Sequence, residues 1–200
     1  MSKPTTEFKM NTLKKLKATN VALRSHIGPS WKEDPTLKDG SIEDIELKPE
    51  FKELLQKCGA KLILKGASDP QYTFKRSTGE EQIVVPWPQQ FETEEAFYRV
   101  LLHELGHWSG REHRLNREMG ELACCKYHSV MGAVEEITAE LGSVMLAEHF
   151  GFTPHYARAV DYINGYLNHI AEHAPEDTQD LFKLATHQAS DVVDYITSLT

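Results

Sequence analysis

Nowhere in the 200 residues do ~20 apolar residues run consecutively, so no membrane-crossing helix is expected. No apolar run follows Lys3, and the first seven residues do not read as a signal peptide. Cysteine is scarce. Of the three, two are adjacent (Cys124, Cys125), which excludes a disulfide framework and suits reduced thiols in a cytoplasmic protein. Internal repeats and low-complexity tracts are absent, which excludes solenoids and disordered arrays. Positive charge is scarce in one part of the chain. Residues 81–200 hold 7 Lys and Arg against 19 Asp and Glu, a balance that repels phosphates and argues against a nucleic-acid groove there.

Residues 1–80 are mildly basic, with 15 Lys and Arg against 11 Asp and Glu, within a net charge of −8 overall. Lys14, Lys15, Lys17 and Arg24 make up much of that excess. Such a cluster is usually a solvated helix face, and a weak nucleic-acid contact, if there is one, belongs to this N-terminal segment. Hydrophobic residues at 40% and charged residues at 26% describe an ordinary globular chain of about one domain.

Helical spacing of Met10, Leu13, Leu16, Val21 and Leu23 predicts a first helix, stopped by Gly28-Pro29. Residues 28–48 read as a polar, irregular connection. A short helix is expected over 49–57, then strands at 61–65, 72–75 and 82–85, with a turn at Ser77-Thr78-Gly79-Glu80. Helices follow: one capped by Thr93 and ended by Gly110, then 130–149, 154–171 and 176–198. A small sheet followed by a mainly helical domain gives an α+β class. Residues 1–49 form an N-terminal helix with an irregular extension, and 50–200 the main domain.

The chemistry concentrates in His103-Glu104-Leu105-Gly106-His107. Helical positions four apart share a face, so both imidazoles can reach one metal, and Glu104 can serve a metal-activated water as general base. With 10 histidines and 21 glutamates in this chain, about 0.05 chance occurrences of the pattern are expected. Phe97, Val100, Leu101, Leu105 and Trp108 make this a buried helix rather than a surface one. A catalytic zinc takes three protein ligands. Gly110 and His113 extend the run to H-E-x-x-H-x-x-G-x-x-H, in which His113 is the third ligand. That signature needs a later Met-turn, for which Met131 is poorly placed because it opens a helix. The rival is Glu136 on the next long helix, with Glu140 one turn on, and Ala139 and Gly142 small enough to let that helix approach the first.

Residues 97–110, together with Arg114-Leu115-Asn116-Arg117, residues 135–142, the strand and prolines of 83–88, and Asp161-Tyr162-Ile163, resemble the ArdC-type metallopeptidase domain. The resemblance spans about residues 50–198. It implies a zincin-like fold and a place among antirestriction and polyvalent proteins of phages and conjugative elements. It also implies metal ligation by His103, His107 and Glu136, with Glu140 hydrogen-bonded to a liganding histidine. His113 departs from the family, which usually has a small polar residue there. Residues 1–49 are too short, and too poor in strand signals, to be the single-stranded-DNA-binding domain of full-length relatives.

The function expected is hydrolysis of a peptide bond in a protein substrate. Zn2+ lowers the pKa of its water, and Glu104 takes the proton and passes it to the leaving amine. The alternative is a non-catalytic, metal-stabilised antirestriction module that contacts DNA or a nuclease. The remaining candidates are weaker. Cys124-Cys125-Lys126-Tyr127-His128 reads as buried thiols, Tyr127, His128, His155 and Tyr156 are candidate oxyanion donors, and His169, His173 and His187 read as surface or core histidines.

Overall fold

The computed structural model describes residues 4–22, 31–75, 77–117 and 129–200. The expected stop at Gly28-Pro29, Arg24 and the segment from Cys124 to His128 lie outside the described residues. Six α-helices and four strands are described: α1 (Thr6–Ala22), β1 (Gly40–Ser41), α2 (Pro49–Cys58), β2 (Lys61–Lys65), β3 (Gln71–Lys75), β4 (Glu80–Pro86), α3 (Glu94–Ser109), α4 (Val130–His149), α5 (Tyr156–His173) and α6 (Thr178–Thr197). Two short 3-10 turns, Ile42–Asp44 and Pro88–Gln90, complete them.

The sheet order is β1-β2-β4-β3. β2 runs parallel to β4, with Leu62 opposite Ile83, whereas β3 pairs antiparallel with β4 through a turn at Gly79, whose φ is +71. β2 alternates, with Leu62 and Leu64 buried on one face, whereas Ile83, Val84 and Val85 of β4 are buried on both faces. β1 emerges from the connection expected to be irregular, and pairs antiparallel with β2.

Thr93 caps α3 by accepting from the Ala96 amide at 3.2 Å. Gly110 closes that helix with a right-handed backbone, φ −75, and the left-handed turn falls at Asn116, φ +48. Ser129 caps α4 at the Gly132 amide, 2.9 Å away. Met131 therefore sits in the first turn of a helix and makes no Met-turn.

α4 is the central helix, buried from Gly132 to Ala147 and flanked by α3, α5 and α6. Its closest approach to α3 is at Gly106, where a Cβ would lie 3.1 Å from the Cα of Ala139. Gly142, expected on the same contact, instead faces α6, where a Cβ would lie 3.1 Å from Val192 Cγ1; three residues turn the helix by about 300°, which leaves position 142 about 60° away from position 139. Gly106→Ala should therefore lose about 1 kcal/mol net. Overpacking costs about 1–3 kcal/mol, and the gain in helix propensity returns at most ~1 kcal/mol. A lowered urea midpoint at unchanged slope is the expected readout.

α1 lies against the helical layer. Its Leu16 is buried, Lys9 pairs with Asp194 at 2.8 Å, and Lys15 with Glu148 at 2.5 Å. Lys9 is thus buried in its ion pair, while Lys14, Lys15 and Lys17 are exposed. Cys58 ends α2 as a buried thiol that burial pushes up to about 12, an inert packing group. No described helix is long and apolar enough to cross a membrane.

Candidate metal centre

α3 delivers His103 and His107 on consecutive turns, and α4 brings Glu136 across from them. The two imidazole Nε2 atoms are 3.1 Å apart, and Glu136 Oε2 lies 3.4 Å from His103 Nε2 and 3.6 Å from His107 Nε2. Metal bonds of about 2.0–2.1 Å at tetrahedral angles require ligand separations near 3.3 Å. The three atoms therefore match one face of a metal tetrahedron. They are the one group of this kind among the described residues.

The outward nitrogens are held in place. His103 Nδ1 meets Glu140 Oε2 at 3.0 Å, and Glu140 Oε1 accepts from Arg99 Nη1 at 2.5 Å. His107 Nδ1 meets Glu135 Oε1 at 3.1 Å, and Glu135 accepts a bidentate pair from Arg117, at 2.9 Å and 2.8 Å. Arg117 also reaches the Gly106 carbonyl at 2.6 Å and the Ser109 hydroxyl at 3.0 Å. Each histidine is thus the inner end of an Arg–Glu–His chain. A carboxylate at Nδ1 fixes the tautomer that leaves the Nε2 lone pair facing inward.

The charges favour a cation. Arg99 pairs with Glu140 and Arg117 with Glu135, and Glu104 and Glu136 lie beside them, a formal balance of −2 in a site almost shut off from water. Burial works against charge on Glu135, Glu136 and Glu140, yet the arginines and histidines around them hold all three below the usual carboxylate range. Burial likewise opposes charge on the imidazoles, but Glu136 and Glu140 carry His103 up to about 10, and Glu136 and Glu135 raise His107. Two protons or one divalent cation satisfy the same balance, so a metal entering the site displaces protons. Glu104 Oε2 is buried without a hydrogen-bond partner, a polar atom with a function still to serve.

Tyr162, from α5, donates its hydroxyl to Glu136 Oε2 at 2.7 Å, and its ring stands edge-on to His103 at 5.6 Å. Burial and the Glu136 charge both push this phenol upward, so it keeps its proton.

His113 is exposed and faces Arg114, whose Nη1 lies 2.8 Å from its Nε2; it does not join the metal triangle. Arg114 turns inward instead, to Glu81 at 2.6 Å and over the Trp108 ring at 4.0 Å. His155 caps α5 and the Tyr156 hydroxyl is bonded to Glu148, which commits two of the candidate oxyanion donors elsewhere. Tyr127 and His128, with Cys124 and Cys125, lie outside the described residues. His169 and His173 are one turn apart on α5, with ring centres 4.2 Å apart, and join no third ligand among the described residues. The sequence expected Glu140 beside a liganding histidine, and missed Arg99, Arg117, Glu135 and the contact of Tyr162 with Glu136. The signal available for them was only that these four residues lie within the stretches that carried the resemblance.

A family model described as MPTase-PolyVal, a zincin-like metallopeptidase, matches residues 49–187. The chain belongs to this zincin-like family. Among curated proteins it is similar to a DNA primase TraC of Escherichia coli, 28% identical over 116 residues, covering 58% of this chain and 10% of that protein. It is also similar to the protein y4eC of Sinorhizobium fredii (strain NBRC 101917 / NGR234), 34% identical over 105 residues, covering 50% of this chain and 30% of that one. The zincin-like chain therefore spans less than a third of these relatives. Two solved structures of the antirestriction protein ArdC from the R388 plasmid share the α+β fold. The structure titled metal-free has a TM-score of 0.56 at 23% identity, covering 81% of this chain and 53% of that one. The structure titled Mn(II)-bound has a TM-score of 0.52 at 23% identity, covering 82% and 55%.

Proposed function

We propose that the chain is a zinc-dependent peptidase in which His103, His107 and Glu136 hold the metal and Glu104 is the general base. The triangle of inward ligand atoms, with separations of 3.1, 3.4 and 3.6 Å, carries this reading. Two imidazoles and a carboxylate form a donor set suited to zinc. When bound, the metal supplies a Lewis acid that acidifies a water and polarises a carbonyl. Glu104, one residue along α3 from His103, takes the proton of the attacking water and returns it to the leaving amine. Its unpartnered Oε2 leaves an acceptor available for that proton. Arg99–Glu140 and Arg117–Glu135 hold the imidazoles still while the metal's charge is offset by the carboxylates.

The substrate proposed is a peptide bond in a host or element-encoded protein, cleaved in the cytoplasm. Likeness of fold to ArdC favours a second reading, in which the same domain opposes restriction by binding a nuclease or DNA without cleaving a peptide. Exposed Lys14 and Lys17 are where a weak nucleic-acid contact would fall.

Metal content by mass spectrometry tests the ligand set. Untagged wild type and His113→Ala should carry about one zinc per chain, and Glu136→Ala should carry almost none. Retention in Glu136→Ala with loss in His113→Ala would assign the third ligand to His113 and overturn the proposal.

A further inference from the structure

We propose that Tyr162 is the hydrogen-bond donor to the carbonyl oxygen of the bond under attack, its hydroxyl held in readiness on Glu136. The assignment rests on the peptidase reading above. Three observations place the residue. Its Oη is 2.7 Å from Glu136 Oε2, the same oxygen that faces both imidazole nitrogens. A metal–oxygen bond of about 2 Å then bounds the hydroxyl within about 5 Å of the centre of the ligand triangle. That is the range from which a donor can reach a carbonyl oxygen drawn to that centre.

The second observation is exposure. His103, His107 and Glu136 are 8%, 2% and 5% exposed, and Glu135 and Glu140 behind them are buried, whereas Tyr162 is 39% exposed. Among the described residues bonded to the triangle, Tyr162 alone borders solvent. A substrate arriving from solvent meets the Tyr162 side chain before it meets the buried carboxylates.

The third is support for the ring. Tyr162 stands at 90° to the His103 ring on one side, and Tyr166, one turn further along α5, packs against it with ring centres 5.1 Å apart. Packing against both rings holds the phenol ring in place, so only the O–H has to rotate from Glu136 toward a developing oxyanion. The donor and the base then come from different helices, Tyr162 from α5 and Glu104 from α3, which allows one to face the carbonyl oxygen and the other the attacking water.

The test uses the full chain loaded with zinc, wild type and Tyr162→Phe. Zinc affinity is read by chelator competition, and binding of acetohydroxamate, a probe that presents an anionic oxygen to the metal, by calorimetry. With both proteins saturated with zinc, Tyr162→Phe should bind acetohydroxamate about tenfold or more weakly, the loss expected for one hydrogen bond to a charged oxygen. Equal acetohydroxamate binding by both proteins would overturn the assignment. Acetohydroxamate binding that depends on Tyr162, in a wild type that cleaves no peptide, would uphold the donor and overturn the hydrolytic reading instead.

Discussion

Glu104→Gln should leave about one zinc per chain and lower peptide hydrolysis ~10²–10⁴-fold, with the loss in kcat rather than KM. The amide has the shape of the carboxylate and no capacity to take a proton from water. The ligand triangle is braced from elsewhere: Glu104 Oε2 is unpartnered, while the two histidines are held by Glu140 and Glu135. Removing its charge leaves a formal balance of −1, which still favours a cation, and should silence the chemistry. The same variant decides between catalysis and binding. In a nuclease-protection assay, protection that disappears with Glu104→Gln follows from proteolysis, and protection that survives follows from a binding module. Unchanged hydrolysis by zinc-loaded Glu104→Gln would remove Glu104 as the base.

The part of this site legible in sequence was the part written within one helix. His103 and His107 are four apart, and a helix converts that spacing into two nitrogens 3.1 Å from each other. The third position was ambiguous from spacing alone, because His113 and Glu136 each satisfied some pattern, and only the family resemblance separated them. The folded chain shows why the nearer candidate stays apart. After Ser109 the backbone folds back, with Leu115 bonded to the Ser109 carbonyl at 3.0 Å and Arg117 to that of Gly110 at 2.9 Å, leaving His113 on the outside of the turn.

Long-range partners left no local trace. Tyr162 is 26 residues from Glu136 and Arg99 is 41 from Glu140, and no periodicity links such pairs. The strands were readable one by one from their β-branched and apolar runs. Their order was not: β4 inserts between β2 and β3, a pairing between segments that no pattern within a single strand encodes. β1, two residues long, lacks the length from which an alternating pattern could be read.

Glu135→Ala should destabilise the fold by about 3–5 kcal/mol, because it leaves the Arg117 guanidinium buried without its counter-charge. It should also weaken zinc binding about 10–100-fold, since His107 Nδ1 loses the acceptor that fixes its tautomer. These two losses have different causes, and a second substitution separates them. Arg117→Met alone strands Glu135 in place of the arginine, and should be destabilising in its own right. Combined with Glu135→Ala it removes both charges, so the double variant should regain most of the lost stability while zinc binding stays weak, because His107 still lacks its acceptor. Urea titration measures the first quantity and chelator competition the second, and the coupling between the two positions should be large in stability and small in zinc affinity. Recovery of zinc affinity in step with stability would mean that Glu135 matters to the site only through the fold. Affinity that stays low in a stable double variant makes the outer carboxylate part of the metal site itself.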